Sequence, residues 1–200
     1  MSDADEHKKK MQQQQSEHRK RVKETRHPER GLVLVHTGNG KGKSSSAFGV
    51  IIRALGWDQQ VGVVQFIKGK WKTGERQFFD RYDGPVDWFT MGDGFTWDTQ
   101  DKDADTKAAQ LAFERACTMM ASGDYDLVVL DEINIALRYG YLSAEAVIEG
   151  VDQRDKRTGV ILTGRDAPQA LCDYADLVSE MREIKHPYKA GIRAQRGVDF

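Results

Sequence analysis

The chain has 200 residues, which suits one α/β domain with a substantial core and a short appended segment. Its formal net charge of −1 gives no overall electrostatic basis for binding nucleic acid or an anionic membrane. Only two cysteines occur, Cys117 and Cys172, and they predict buried free thiols in a reducing compartment. The apolar runs are too short to span a bilayer, and the first residues lack the apolar core of a signal peptide. We therefore expect a cytoplasmic protein without a membrane partner.

The N-terminal segment, residues 1–30, differs in composition from the rest of the chain. It contains nine Lys and Arg against six Asp and Glu, so it carries +3 while residues 31–200 carry −4. It has no glycine and few apolar side chains, so it can form a helix but cannot bury enough surface to fold alone. Two interpretations remain open: a disordered, solvated tail, or a basic extension that orders as a lid helix over a ligand or a neighbouring subunit.

From Gly31 onward, strand and helix patterns alternate along the chain. Continuous apolar runs such as 127–130 are typical of strands covered on both faces, and 105–121 has the 3.6-residue period of a helix. The patterns predict strands over 32–36, 61–67, 86–90, 127–131, 159–163 and 176–180. They predict helices over 43–55, 75–81, 105–121, 132–138, 143–152 and 167–174. The alternation predicts an α/β domain over residues 31–200, with a mainly parallel sheet flanked by helices.

A glycine-rich motif follows the first predicted strand. Residues 37–46 are Thr-Gly-Asn-Gly-Lys-Gly-Lys-Ser-Ser-Ser, and the apolar helix pattern begins immediately after them. Glycines let backbone N–H groups approach phosphate oxygens without a Cβ in the way, and the helix N-terminus adds positive potential. We expect Lys43 to neutralise phosphate charge and Ser44 to ligate the accompanying Mg²⁺. The predicted triphosphate-binding residues of the loop are Thr37, Gly38, Asn39, Gly40, Lys41, Gly42, Lys43, Ser44 and Ser45.

This loop departs from the usual G-x-x-x-x-G-K-[ST] pattern in two ways. Thr37 occupies the first glycine position, and an additional lysine, Lys41, lies inside the loop. A chance glycine-rich turn is the alternative interpretation. The preceding strand and the following helix favour a nucleoside triphosphate site on a P-loop core.

Two acids end the apolar run at 127–130. Asp131 and Glu132 would lie beside the phosphate loop, where one carboxylate can hold a divalent metal ion and the other can position a reactant. Alternatively, the acids cap the following helix and complement its dipole. Arg165, which follows the strand predicted over 159–163, is a further phosphate-binding candidate, and an ordinary surface arginine is the alternative interpretation.

A loop with two glycines and two aromatics follows the strand predicted over 86–90. Phe95 and Trp97 in Met-Gly-Asp-Gly-Phe-Thr-Trp are candidates either for anchoring the loop in the core or for contacting a large flat ligand. No Cys/His or Ser/His/Asp arrangement occurs in the sequence. The chain therefore offers no evident covalent nucleophile.

Together these motifs resemble one family. T-G-N-G-K-G-K-S, V-Q-F-I-K-G, G-F-T-W, V-V-L-D-E, T-G-R and K-H-P-Y-K-A-G-I-R-A-Q-R-G-V-D occur in this order between about Arg30 and Phe200. They resemble the P-loop class of ATP:co(I)rrinoid adenosyltransferases. The resemblance implies transfer of the 5′-deoxyadenosyl group of ATP to the Co(I) of cobalamin, cobinamide or cob(I)yrinic acid a,c-diamide, with release of tripolyphosphate, in adenosylcobalamin biosynthesis or salvage. The nucleophile is then the substrate's own cobalt, so the protein needs none.

The resemblance also implies roles for particular residues. Phe95 and Trp97 would pack on the corrin and displace its lower ligand, which makes Co(II) easier to reduce. Catalytic roles fall to Lys41, Lys43 and Glu132: the lysines would stabilise charge on the departing triphosphate, and Glu132 would position a reactant. Mg²⁺ or Mn²⁺ would be held by Ser44, Asp131 and Glu132, and ATP by the loop together with Arg165. The implied partners are ATP, a reduced corrinoid, a flavoprotein-type reductant and a second copy of the chain in a homodimer.

Two other functions fit parts of the sequence. A kinase or ATPase would use the same loop and the same acids, but it would release ADP instead of tripolyphosphate. An ATP-regulated nucleic-acid-binding protein would use the basic N-terminal segment, yet residues 31–200 lack a basic stripe. The adenosyltransferase therefore explains more of the chain than either alternative, and no nucleic-acid partner is expected.

Overall fold

Six parallel strands form the centre of the protein. The computed structural model describes residues 3–26, 28–66, 73–90 and 102–199. The strands are β1 (Val33–Thr37), β2 (Val61–Gln65), β3 (Val86–Thr90), β4 (Leu127–Asp131), β5 (Gly159–Thr163) and β6 (Leu177–Glu180). Their spatial order is β3-β2-β4-β5-β1-β6, and every neighbouring pair is parallel. The predicted α/β fold is confirmed, with each strand boundary within two residues of its expected place.

Helices precede the sheet and connect its strands. They are α1 (Asp3–Glu24), α2 (Lys43–Leu55), α3 (Gly74–Phe79), α4 (Lys102–Ser122), α5 (Ile133–Arg138), α6 (Ala144–Asp152) and α7 (Gln169–Tyr174), with a short 3₁₀ helix at Pro187–Ala190. The side chains of Thr73 and Ser143 cap α3 and α6 by accepting the N–H groups of Arg76 and Ala146. The sequence therefore determines locally where α3 and α6 begin, through the capping residue that precedes each helix.

The sheet is covered on both faces. Val128 and Leu130 of β4 pack on one side with α4, α5, α6 and α7, while Leu127 and Val129 pack on the other side with α2 and Phe79 of α3. This arrangement explains why β4 is apolar at consecutive positions. Fully burying one such side chain contributes about 1.5–3 kcal/mol relative to leaving it exposed. Two buried clusters therefore fix the strands whose ends carry the predicted site.

Helix α4 packs closely against β2. A Cβ at Gly62 would lie 2.3 Å from Cε of Met119, so a larger residue there would require the Met119 side chain to shift. The predicted face of α4 is largely confirmed, since Ala109, Ala112, Ala116 and Met120 are buried. Phe113 is half-buried, and the sequence pattern missed Met119, which is buried.

The N-terminal segment is helical, and all side chains of residues 4–24 are exposed. Arg30, beyond the helix, forms two 2.8 Å hydrogen bonds with the carboxylate of Asp176, which also accepts the N–H of Val33 at 2.8 Å. These bonds attach the beginning of the domain to the start of β6. The role of α1 as a lid remains a prediction.

The thiol expectation needs one correction. Cys117 and Cys172 are free, as expected, but both are half-buried instead of fully buried. They lie at the margins of the helix packing. Within the described ranges, no helix combines the length and apolar character that a membrane span requires.

Candidate active site

The residues predicted to bind nucleotide and metal lie at the carboxyl ends of three neighbouring strands. β1 ends at Thr37, β4 at Asp131 and β5 at Thr163, and β5 lies between the other two. Ligands of open α/β sheets bind outside the carboxyl ends of the strands. The structure therefore brings the glycine-rich loop and the acid pair to the expected position.

The loop at 38–42 leads directly into α2. Gly42 precedes the helix with φ of 112°, and Gly38 has φ of 96°; both values lie in a region that residues with a Cβ rarely adopt. The first turn of α2 carries no acidic side chain. Its free N–H groups and positive dipole end are thus available to an anion.

Two glycines of this loop have a second role that the sequence analysis missed. A Cβ at Gly38 would lie 2.4 Å from the carbonyl oxygen of Met181, and one at Gly40 would lie 2.8 Å from it. The N–H of Gly40 donates to that oxygen at 2.7 Å, and Asn39 Oδ1 accepts the N–H of Glu183 at 3.0 Å. The segment after β6 therefore packs on the loop and uses part of its hydrogen-bonding capacity.

The two loop lysines lie in different environments. Lys43 is buried and donates from Nζ to the carbonyl oxygen of Gly40 at 2.6 Å. Burial is the main cause of its lowered pKa, and the positive charge of Arg165 contributes in the same direction. Lys41 is exposed, and its Nζ lies 2.6 Å from Oδ1 of Asp199. Lys43 is therefore fixed inside the loop, whereas Lys41 is held from outside it.

Asp131 is fully buried and hydrogen-bonded. Its Oδ1 accepts from the hydroxyl of Thr163 at 2.8 Å, and its Oδ2 accepts from Nε2 of Gln65 at 3.0 Å. Burial raises the pKa of Asp131, while hydrogen bonds from Thr163, Ser44 and Gln65 lower it. The bond from Ser44 places the first turn of α2 against the acid.

Glu132 has a different environment. Its backbone has φ of 63°, in the left-handed region, and its N–H donates to Oγ1 of Thr163 at 2.9 Å. Its Oε2 is buried and has no hydrogen-bond partner among the described residues. Burial and the negative charge of Asp131 raise the pKa of Glu132 to about 7, against the opposing charges of Lys43 and Arg165. A buried carboxylate oxygen without a donor is a site that a cation can satisfy.

The donor set fits a hard divalent cation. Ser44, Asp131 and Glu132 offer only oxygen ligands, which Mg²⁺ and Mn²⁺ prefer. The described part of the chain holds no cluster of three or more His, Cys, Asp or Glu residues able to bind a metal. The residues present are therefore chemically compatible with such a cation.

The remaining predicted site residues are Arg165, Ser45 and the two aromatics Phe95 and Trp97. Arg165 is exposed and follows Gly164 at the carboxyl end of β5, close enough for its charge to affect the pKa of Lys43 and of Glu132. Ser45 is exposed in the first turn of α2. Phe95 and Trp97 lie outside the described residues, so the corrinoid surface stays a prediction.

Gln65 and Thr163 belong to the site but were not proposed for it from the sequence. Both are the last residues of their strands, in the V-Q-F-I-K-G and T-G-R motifs. A polar residue at the carboxyl end of a buried parallel strand is the sequence feature that could have identified both residues.

Comparison with known proteins decides the family. The family model described as ATP:corrinoid adenosyltransferase BtuR/CobO/CobP matches residues 29–200. The chain belongs to this family. The matched range begins just before the domain predicted at residue 31 and includes every proposed site residue.

Individual relatives agree with this assignment. A corrinoid adenosyltransferase of Pseudomonas aeruginosa is 52% identical over 172 residues, which cover 86% of this chain and 85% of that protein. Corrinoid adenosyltransferases of Escherichia coli K12 and Salmonella typhimurium are 44% and 45% identical over 172 residues, with 86% of this chain and 87% of each relative covered. The resemblance inferred from the motifs is confirmed, and so is the assignment to the transferases.

Proposed function

We propose that the protein transfers the 5′-deoxyadenosyl group of ATP to the cobalt of a reduced corrinoid and releases tripolyphosphate. Cobalt(I) attacks carbon 5′ with its electron pair; the Co–C bond forms as the C5′–O bond breaks, and the bonding electrons leave with the triphosphate. The observation that carries the proposal is the position of a two-lysine phosphate loop beside an acid pair, at one sheet edge of a corrinoid adenosyltransferase family member.

In this proposal the loop stabilises the leaving group. The N-terminus of α2 and the ammonium of Lys43 face charge that grows on the whole triphosphate as the C5′–O bond breaks. Lys43 is held by the Gly40 carbonyl, so little reorganisation is needed when ATP binds. Lys41 adds a second cation, which suits a leaving group of three phosphates. Arg165 lies at the same edge and is proposed to contact the phosphates as well.

We infer that Ser44, Asp131 and Glu132 would hold Mg²⁺ or Mn²⁺ as protein ligands. When bound, the ion would supply positive charge to the departing triphosphate. Thr163 and Gln65 orient Asp131 for this role. The buried Oε2 of Glu132, which has no hydrogen-bond partner among the described residues, also supports the assignment. The proton that Glu132 holds at its raised pKa must leave before the carboxylate can act as a ligand.

The corrinoid side of the reaction is proposed from the family motifs. Phe95 and Trp97 would exclude the lower cobalt ligand. Residues 1–30 would act as a lid on the domain formed by residues 31–200, because this basic segment forms a helix but has no core of its own. The remaining proposed partners are a flavoprotein-type reductant and a second copy of the chain.

The test uses the full chain with ATP, MgCl₂ and chemically reduced cobalamin. We expect the absorbance spectrum of a Co–C product and, by phosphorus NMR, tripolyphosphate as the phosphate product. Lys43→Ala is the matched control for contaminating activity. Formation of ADP without any Co–C product would overturn the proposal in favour of a kinase or ATPase.

A further inference from the structure

Thr163 links the two acids of the site through a single hydroxyl group. Its Oγ1 donates to Oδ1 of Asp131 at 2.8 Å and accepts the backbone N–H of Glu132 at 2.9 Å. A hydroxyl has one hydrogen to donate and lone pairs to accept, so one orientation satisfies both bonds. Thr163 is 0% exposed, so bulk water does not compete for either bond.

The position of this hydroxyl is fixed independently of the acids. Thr163 is in register with His36 of β1, and the next residue, Gly164, donates its N–H to the His36 carbonyl at 3.2 Å. The carbonyl of Gly164 accepts from Nδ2 of Asn134 at 3.0 Å. Because β5 lies between β1 and β4, Thr163 stands between the strand that enters the phosphate loop and the strand that ends in the acids. Thr163 is therefore held in place between the phosphate loop and the acid pair.

Of the two acids, Glu132 depends more on support from a neighbouring residue. Its left-handed backbone, with φ of 63°, is sparsely populated by residues other than glycine and is therefore strained. No hydrogen bond from the described residues holds its Oε2. The N–H bond to Thr163 supports the backbone from which this carboxylate projects.

We propose that Thr163 is a positioning residue for the divalent cation site. Its hydroxyl holds the backbone of Glu132 and orients the carboxylate of Asp131, so that both acids keep a preset distance from the loop. Thr163 itself does not touch the cation. The inference rests on the metal role given to the acids under the proposed function.

The experiment measures how much a metal ion strengthens ATP binding. Calorimetry gives the Kd of ATP for the full chain in saturating Mn²⁺ and in EDTA, and the ratio of the two reports the metal's contribution. Thr163→Val is nearly isosteric and removes both hydroxyl bonds, while Thr163→Ser keeps them. Thr158→Val is the matched control, because Thr158 is also 0% exposed, immediately precedes β5, and donates its hydroxyl to the Tyr125 carbonyl at 2.7 Å.

We expect Thr163→Val to reduce the ratio roughly 10-fold or more, the usual cost of losing a group that orients metal ligands. Its Kd in EDTA should stay near the wild-type value, and Thr163→Ser should recover most of the ratio. Thr158→Val should lower Tm but leave the ratio as in wild type. If Thr163→Val is not recovered folded, Thr163→Cys, whose thiol is a weak hydrogen-bonding group, replaces it with the same expectation.

Four results distinguish failure of the inference from failure of the proposed function. An unchanged ratio in folded Thr163→Val, or equal weakening of ATP binding with and without metal, would overturn the positioning role. A wild-type ratio of one would remove the metal role and this inference with it. A reduced ratio in Thr163→Val together with no Co–C product from the wild type would support the positioning role while the proposed reaction fails.

Discussion

The ammonium of Lys41 and the carboxylate of Asp199 lie 2.6 Å apart, so the additional lysine of the phosphate loop is paired with an acid of the C-terminal segment. Oδ2 of Asp199 also accepts the N–H of Gln195 at 2.8 Å. That backbone bond, together with the bond to Lys41, lowers the pKa of Asp199, so the acid is charged at neutral pH. If Lys41 binds the triphosphate as proposed, the carboxylate of Asp199 competes with the phosphates for this cation.

Asp199→Asn should tighten ATP binding, because it frees the Lys41 ammonium without changing the size of the residue. We expect about a threefold lower Kd at low ionic strength and a smaller effect at high salt, as for an exposed ion pair. Calorimetry at two salt concentrations checks this. Glu183→Gln is the matched control, since it removes the same charge from a pair with Lys189 in the same segment. Weaker ATP binding in Asp199→Asn would mean that the acid holds Lys41 in place for the phosphates.

Lys43→Ala should lower kcat/KM roughly 10²–10³-fold, because a fixed cation facing the leaving group acts mainly in the transition state. Lys41→Ala should cost less, since the Lys41 side chain is 48% exposed and held only from outside the loop. Steady-state kinetics with chemically reduced cobalamin measures both variants, and Tm values show whether either has lost its fold. Wild-type turnover in Lys43→Ala would remove this loop from the ATP site.

Glu132 should make the metal-free protein less stable as the pH rises. Its pKa is raised from 4.5 to about 7 in the folded protein, so between these values the folded state holds a proton that the unfolded state has lost. Stability from this group is complete below about pH 4.5 and is lost as the pH rises through about 7. In EDTA, the Tm of Glu132→Gln minus that of wild type should therefore increase from pH 5 to pH 8. A difference that stays constant over this range would contradict the raised pKa.

The sequence predicted those parts of the fold that depend on periodicity. The run at 127–130 indicated a strand covered on both faces, and the structure places it at the centre of the sheet because α2 and α4 each cover one side. The polar residue at the end of β5, Thr163, did not reveal its partner, and Met181 gave no comparable signal. Their bonds to Asp131 and Gly40 join residues far apart in the chain, and only the strand order brings them together. Local patterns therefore located the loop and the acids but not the contacts that orient them.

Removing residues 1–25 should leave the domain folded and impair corrinoid turnover. The deletion keeps Arg30 and its two bonds to Asp176, and every side chain of residues 4–24 is exposed, so little packing is lost. We expect an unchanged Tm within about 2 °C, since exposed residues rarely contribute more than about 0.5 kcal/mol. The KM for the corrinoid should increase while the Kd of ATP stays the same. Unchanged kinetics would favour a solvated extension without a lid role.

Phe95 and Trp97 allow a test that separates ligand displacement from packing. If they exclude the lower cobalt ligand, their effect depends on the oxidation state of the corrinoid supplied. Starting from Co(II) with an enzymatic reductant, Phe95→Ala and Trp97→Ala should lose most activity, because five-coordinate cobalt is hard to reduce. Starting from chemically prepared Co(I), the same variants should retain much more, since the phosphate loop and the acids are untouched. A packing role would instead lower Tm and reduce both activities equally. Equal losses from the two starting states would therefore assign these aromatics to the core.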